Sequence, residues 1–284
     1  MLGAGSGRLG LLEAARRRDL VVIAVDRDPS AAGFPLADRR ALISSEDEPA
    51  IHRLAEAEQI DGVLGGGADA TVGIAARVAH RLGLPHPLSP AAASLVCSRL
   101  KQRQRLTERG VAHVPWRLAT DDHVDVRVPC VVKPSDRGGH GLAVVRAQTE
   151  LRPALRAAIE ASRTRTALVE ELVEGPEVIV HGFSVDGCFY ELLPDSGELG
   201  ALAAAAAAAL EIENGATQTE IRLAPDGPRV AEVLASHDPE LWRGAELDLN
   251  LLVLRAALGE RIDLDDLRFG SAHAASPSAV EAAA

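Results

Sequence analysis

Apolar and polar positions in the first third of the chain alternate between strand-like runs and helical stretches. Residues 20–26 form a continuous apolar run that ends in an acid, which is typical of a buried parallel strand. A short strand is expected at 62–64, and helical spacing predicts helices at 11–18, 50–58 and 70–83. Strands and helices that alternate at this spacing predict a three-layer α/β unit with a parallel sheet.

The pattern changes beyond a predicted helix at 91–109. Strand-like segments dominate from there, with helices between them. Strands are predicted at 126–133, 142–146, 167–172, 177–185, 188–193, 218–223 and 229–233, and helices at 149–162, 199–210 and 246–258. We therefore predict that the chain beyond the first α/β unit is organised differently from that unit. The tail 271–284 is expected to fray.

The charge and composition of the chain argue against some kinds of binding partner. The net charge is −11 and the isoelectric point is near 5.3, whereas phosphate backbones and anionic membranes require a basic footprint. No apolar run approaches the roughly 18 residues of a membrane span. The three cysteines are scattered without metal-ligand spacing, as in reduced cytoplasmic proteins. We predict a cytoplasmic protein that binds neither nucleic acid nor membranes.

A glycine loop at residues 3–10 contains Gly5-x-Gly7-x-x-Gly10, and Asp26 ends the next strand. This imitates a dinucleotide fingerprint, although the glycines equally suit helix–sheet packing. A dehydrogenase would need a catalytic His or Tyr arrangement downstream, and we find none. Only two residues precede the loop, and seven alanines fill 203–209. We therefore expect that residues are missing at the N-terminus and in some loops.

The strongest chemical signal is Lys133 at the end of a β-branched strand. Only two of the 30 basic residues are lysines, and the other is Lys101. The loop Pro-Ser-Asp-Arg-Gly-Gly-His-Gly follows at 134–141. Backbone N–H groups of such a loop can cradle phosphate oxygens, while the ammonium supplies a point charge.

Two acidic segments follow. The strand at 167–172 runs into Val173-Glu174-Gly175-Pro176-Glu177, which can offer backbone groups to a purine and a carboxylate to ribose hydroxyls. Glu220 and Glu232 lie 12 residues apart on strands that we predict to pair. Carboxylates on one face of a hairpin suit Mg²⁺, which takes one or two of them plus phosphate oxygens.

These pieces, in this order, resemble the ATP-grasp superfamily of carboxylate–amine ligases, which includes biotin carboxylase and D-alanine–D-alanine ligase. The resemblance spans nearly the whole chain. It implies an N-terminal three-layer parallel α/β domain at 1–95 (the pre-ATP-grasp domain), followed by two α+β subdomains. These would be a lid subdomain at 96–168 and a C-terminal subdomain at 169–284 that holds Mg-ATP and substrate.

The resemblance also implies roles for residues. Lys133 would contact the α- and β-phosphates, Glu177 would bind the ribose, and Glu220 and Glu232 would bind Mg²⁺. The phosphate lid would contain Ser135, Gly138, Gly139 and Gly141. The adenine would contact Glu170, Glu171, Leu172 and Val173, largely through their backbone. A second nucleotide cation would be either Arg99 or Lys101: spacing back from Gly110 favours Arg99, and missing residues would favour Lys101.

The sequence departs from the family after Glu232. The family usually has Asn two residues later and Arg four residues later, where this chain has Leu234 and Ser236. Either a short loop is absent or the catalytic end has degenerated. Arg222, two residues beyond Glu220, is a candidate for stabilising an acyl phosphate.

The function implied by the resemblance is ATP-dependent activation of a carboxylate as an acyl phosphate, which an amine then attacks. Small-molecule carboxylate and amine substrates would be the partners, ATP and Mg²⁺ the cofactors, and a homodimer the assembly. Two alternatives stay open. One is a bicarbonate-activating carboxylase of the biotin or purine type, and the other is a nucleotide-binding protein without catalysis.

Overall fold

The computed structural model describes residues 1–66, 70–136, 141–192, 196–238, 241–242 and 247–267. It contains eight α-helices and ten β-strands within these ranges, arranged around three sheets. The predicted class, an α/β protein with α+β units after the first, is confirmed. The predicted frayed tail and two of the lid glycines, Gly138 and Gly139, lie outside the described residues.

The first unit is a small parallel sheet with helices. Its elements are α1 (Leu9–Arg17), β1 (Ile23–Val25), β2 (Arg39–Ala41), α2 (Glu48–Glu58) and α3 (Ala70–Leu82). β1 pairs in parallel with β2, and Leu2 bridges Val25 and Gly65. The strand predicted at 62–64 is thus reduced to one bridge, whereas β2 was not predicted because its residues are charged and exposed.

The helix predicted at 91–109 is two helices, α4 (Pro90–Val96) and α5 (Arg99–Glu108). Ser98 separates them in an extended conformation, and its hydroxyl accepts a hydrogen bond from the backbone N–H of Lys101. A serine in this position is a favourable N-cap, so a new helix begins at Arg99. The prediction of one continuous helix was wrong because the spacing of the apolar residues does not reveal the break at Ser98.

The second sheet has the strand order β3-β6-β4-β5, with every neighbouring pair antiparallel. Its strands are β3 (Trp116–Ala119), β4 (Cys130–Pro134), β5 (Ala143–Val145) and β6 (Ala167–Glu171), and α6 (Gln148–Ala161) covers one face. Strand β3 was not predicted. Because β6 crosses the expected boundary at 168/169 and belongs entirely to this sheet, we propose a boundary after Glu171.

The third sheet has the order β10-β9-β7-β8 and is also antiparallel. It contains β7 (Glu177–Val185), β8 (Cys188–Glu191), β9 (Gly215–Ala224) and β10 (Gly227–Leu234), with α7 (Glu198–Ala209) between β8 and β9 and α8 (Leu249–Ala257) near the end. The turn at Asp186-Gly187 lies where the sequence predicts it.

The two faces of the third sheet differ. Helix α7 packs on one face through Ala203 against Val180 and Ile221. The opposite face is covered at one end only, where Phe183 and Ala216 pack against Leu249 and Leu252. The other end of this face, which carries Glu177, Glu220 and Glu232, is open toward the second sheet. Arg99 on α5 contacts both Glu232 at this end and the carbonyl of Asp136 beyond β4, and we call the space between the two sheets the cleft.

Candidate active site in the cleft between two sheets

Lys133 lies on the face of the second sheet that α6 does not cover. Cys130 and Val132 point into the core against α6, so strand alternation directs Lys133 to the opposite face. Its Nζ lies 2.7 Å from Oε2 of Glu170 on the neighbouring strand β6. Only 7% of the Lys133 surface is exposed. The sheet register, more than the loop that follows, therefore positions this ammonium.

Glu170 is shared between two cations. Its other oxygen, Oε1, accepts a hydrogen bond of 2.9 Å from Nε of Arg103 on α5. We call Lys133, Glu170 and Arg103 the ammonium cluster. All three side chains are buried, which is tolerable only because each charge is paired. Burial lowers the pKa of Lys133 from its usual value, and the carboxylate of Glu170 opposes that shift.

Helix α5 connects the two sheets. Arg99, Gln102 and Arg103 share one helix face, because residues three and four apart are neighbours on a helix. Nη1 of Arg99 donates to the carbonyl of Asp136, 3.1 Å away, at the start of the glycine loop. Its Nε lies 3.4 Å from Oε1 of Glu232 in the third sheet. Of the two candidate nucleotide cations, Arg99 thus lies in the cleft.

Lys101 points elsewhere. Its side chain is exposed, and Nζ donates to the hydroxyl of Ser94 at 2.5 Å. The structure therefore does not bring Lys101 to the cleft.

Glu220 and Glu232 face each other across β9 and β10. They are direct partners in the antiparallel register, and we call them the acid pair. A register shift between Val230 and Glu232 places Val230 opposite the buried Ile221 but Glu232 opposite Glu220. This bulge turns Glu232 to the open face while Val230 and Val233 both stay in the core.

Side chains of α5 fix the backbone on both sides of Glu232. The Gln102 amide donates to the carbonyl of Val233 at 2.8 Å and accepts from its N–H at 3.1 Å. A guanidinium nitrogen of Arg103 donates to the carbonyl of Ala231. The side chain of Gln102 thus acts as a strand partner for the edge of β10. It lies fully buried, and its two bonds hold the acid pair in position.

The predicted base- and ribose-binding residues extend from the end of β6 to the first residue of β7. The backbone N–H groups of Glu171 and Leu172 donate to the carbonyls of Pro115 and Pro129. Val173 is half-buried, and the side chain of Glu170 is committed to the ammonium cluster. Glu177 begins β7 and forms an ion pair with Arg222, with 2.6 Å between Oε2 and Nη2.

The ion pair with Glu177 bears on Arg222, which the sequence suggests as a group that stabilises an acyl phosphate. It shares a strand face with Glu220 as expected, but its guanidinium binds Glu177 at the outer end of the sheet.

Two residues of the predicted lid lie within the described ranges. Ser135 is buried, and its hydroxyl contacts those of Thr164 and Thr166. Gly141 has φ +84°, and a Cβ there would come within 2.9 Å of Ala161 on α6, so this position requires a glycine.

A small cavity of about 50 Å³ lies beyond the end of β10, where the third sheet meets the first unit. Its lining includes Arg8, Gly66, Asn214, Ser236 and His237. A Cβ on Gly66 would collide with the Arg8 guanidinium, which therefore depends on that glycine for its position. Burial lowers the pKa of His237 to about 4, so this ring is neutral at pH 7.

Comparisons with known proteins agree on the fold. The crystal structure of L-amino acid ligase from Bacillus licheniformis superimposes with a TM-score of 0.76 at 23% identity, covering 90% of this chain and 72% of that one. N5-carboxyaminoimidazole ribonucleotide synthetase from Thermotoga maritima gives a TM-score of 0.72 at 19% identity, covering 92% and 75%. The chain has the ATP-grasp fold.

Proteins that are related in sequence also support the resemblance to the ATP-grasp superfamily. Formate-dependent phosphoribosylglycinamide formyltransferase of Burkholderia pseudomallei (strain 668) is 33% identical over 185 residues. The match covers 62% of this chain and 45% of that protein, so the chain spans about half the length of the curated relatives it matches. No family model matches the chain. The resemblance to the ATP-grasp superfamily that the motifs predicted is confirmed.

The departure from the usual ATP-grasp pattern is visible in the strand. Leu234 is the last residue of β10, is paired with Gln218, and shares the open face with Glu232. An apolar side chain thus lies beside the acid pair. Ser236 lines the small cavity instead.

Sequence reasoning missed Gln102 and Arg103, which hold the cleft of this ATP-grasp fold together. In the sequence, these two residues are marked only by lying three and four positions after Arg99. That spacing was not noticed because a single continuous helix was predicted there.

Among the described residues, no group of three or more His, Cys, Asp and Glu side chains is arranged to hold a metal. No described helix is long and apolar enough to cross a membrane.

Proposed function

We propose that the protein is an ATP-dependent ligase that activates a carboxylate as an acyl phosphate and couples it to an amine. One observation carries this proposal: the ammonium cluster and the acid pair face a single cleft. Lys133 and Glu232 come from different sheets yet are close enough to influence each other electrostatically, and Arg99 reaches both walls. A triphosphate needs positive charge from the protein and a divalent ion to neutralise it.

The residues fit such a nucleotide. Two carboxylates that face each other across neighbouring strands repel, and a divalent cation relieves this repulsion. Glu220 and Glu232 would hold Mg²⁺, which in turn lowers the negative charge on the phosphates. Lys133 and Arg99 would contact phosphate oxygens from the opposite wall. The segment 170–173 with Glu177 is our proposed base and ribose site, and the glycine loop from Ser135 to Gly141 is the proposed lid.

The substrate site in this proposal is the small cavity beside Ser236 and His237. Among the described residues that line it, Arg8 is the one whose side chain is charged at pH 7, because the pKa values of His86 and His237 are lowered by burial. A volume of about 50 Å³ suits a small carboxylate. The likeness to proteins whose names include formate and L-amino acid supports small carboxylates as substrates.

The test is ADP release from Mg-ATP with a panel of carboxylates (formate, acetate, L-amino acids) and amines. We expect release that requires a carboxylate and increases with an amine. Lys133→Met is the matched inactive control. Release that depends on bicarbonate instead would identify the carboxylase alternative, and ATP binding without any release would identify a nucleotide-binding protein.

We propose a cytoplasmic enzyme that acts on small molecules and assembles as a homodimer. One structural neighbour is described as a biotin carboxylase domain dimer. Size-exclusion chromatography with light scattering checks the assembly, where a mass near twice 29.8 kDa is expected.

A further inference from the structure

The acid pair has one neighbour that the proposed function leaves unused. Gln218 lies two residues before Glu220 on β9, so both side chains point to the open face. It is also the direct partner of Leu234 on β10, as Glu220 is of Glu232. Directly opposed side chains have Cβ atoms about 5 Å apart, and diagonal ones remain within reach of a long side chain. Gln218 is therefore adjacent to Glu220 and diagonal to Glu232.

The other neighbours on this face cannot supply an oxygen ligand. On the far side of Glu220, Arg222 is positively charged and pairs with Glu177. Ile179, opposite Glu220 on β7, is apolar, and so is Leu234 beside Glu232. His181, which is opposite Gln218, is buried, and burial lowers its pKa. Among these described neighbours, Gln218 has the neutral side-chain oxygen.

A divalent cation such as Mg²⁺ needs oxygen ligands beyond the two carboxylates of the acid pair. Mg²⁺ prefers six oxygen ligands, and side-chain amide carbonyls serve as ligands for hard cations. The described chain offers no third His, Cys, Asp or Glu beside the acid pair. Within the described residues, a further protein ligand is therefore a neutral oxygen, and the side chain of Gln218 is half-buried at the correct register position.

We propose that the side-chain carbonyl of Gln218 is the third protein oxygen of the divalent-cation site, completing the acid pair where Leu234 cannot. This inference rests on the proposed function, because the cation arrives with the nucleotide. The geometry assigns the roles by register: two carboxylates face each other at one level of the β9–β10 ladder, and an amide faces an apolar side chain at the next.

The experiment measures metal binding directly. Mn²⁺, which is visible by electron paramagnetic resonance, is titrated into the protein with saturating ADP. Gln218→Met keeps the length of the side chain but removes the oxygen, and we expect the Kd for Mn²⁺ to rise about tenfold. Gln104→Met is the matched control on an exposed face of α5, and it should leave the Kd unchanged. Circular dichroism verifies that each variant is folded.

A rescue variant uses the register. In Gln218→Met/Leu234→Asn, the amide oxygen moves to the opposite strand at the same level, and the Kd should return to within about threefold of wild type. An unchanged Kd in Gln218→Met would overturn the assignment of Gln218 and leave the proposed function standing. Failure of the wild-type protein to bind Mn²⁺ with ADP would overturn both.

Discussion

The two walls of the cleft handle charge in opposite ways. On the second sheet, the ammonium cluster buries two cations around one carboxylate, and every charge has a partner. On the third sheet, the acid pair sets two carboxylates opposite each other, with Arg99 at 3.4 Å from one of them. Two cations around one carboxylate leave positive charge, which suits phosphate oxygens in the proposed function. Two carboxylates that face each other suit a divalent cation, so the two walls would bind the two parts of a Mg²⁺–triphosphate complex.

Removing Lys133 should have the largest effect. Lys133→Met takes the ammonium from the phosphate site and leaves Glu170 with Arg103 alone. We expect ADP release to fall by at least about 1,000-fold, since a preorganised charge at the reacting group is a major source of catalysis. The measurement is steady-state ADP release with the best carboxylate of the panel. Turnover within tenfold of wild type would contradict the assignment of the ammonium cluster.

Removing one charge from the acid pair tests the other wall. Glu232→Gln keeps the shape of the side chain and its place on the bulge. We expect ADP release to fall about 100-fold and the Mg²⁺ concentration at half-maximal rate to rise, because one carboxylate ligand is lost. Glu213→Gln, an exposed acid before β9, is the control and should behave as wild type. An unaltered Mg²⁺ dependence in Glu232→Gln would argue against the acid pair as the cation site.

Stability should decrease in mild acid because of His237. Its pKa is lowered from 6.5 to about 4 by burial in the folded protein. Between these values the unfolded chain binds a proton that the native protein does not, so the free energy of unfolding falls as the pH decreases from about 6.5 to 4. The loss from this residue is on the order of 3 kcal/mol.

Urea unfolding at a series of pH values measures this effect, with His237→Gln as the comparison. The variant should show a flatter dependence between pH 6.5 and 4, because it no longer carries the titrating ring. Parallel curves for the variant and the wild type would show that His237 does not titrate as its burial implies.

The smallest effect distinguishes Arg99 from Lys101. Arg99 contacts both walls of the cleft, whereas Lys101 binds Ser94 on the outside. We expect Arg99→Met to weaken ADP binding about tenfold and Lys101→Met to change it by less than about twofold. Isothermal titration calorimetry with ADP gives both numbers. The reverse order would restore Lys101 as the second nucleotide cation.

Strong local patterns made most of the elements predictable. The apolar run around β1, the Asp186-Gly187 turn and the pairing of Glu220 with the strand of Glu232 depend on a few neighbouring residues and standard geometry. Strand β2 was missed because its residues are mostly charged and exposed, and β3 was missed because it has only four residues and does not alternate between apolar and polar positions. The Ser98 break was missed because the apolar periodicity continues across it.

By itself, the sequence determined the order of elements, the ATP-grasp resemblance, and which lysine and glutamates carry the proposed chemistry. Only the tertiary structure decided that Glu170 is buried between Lys133 and Arg103, that Arg222 binds Glu177, and that Arg99 rather than Lys101 lies in the cleft. The physical reason is distance along the chain. Register and helix direction set these contacts between residues as far as 133 positions apart, and no local pattern encodes them.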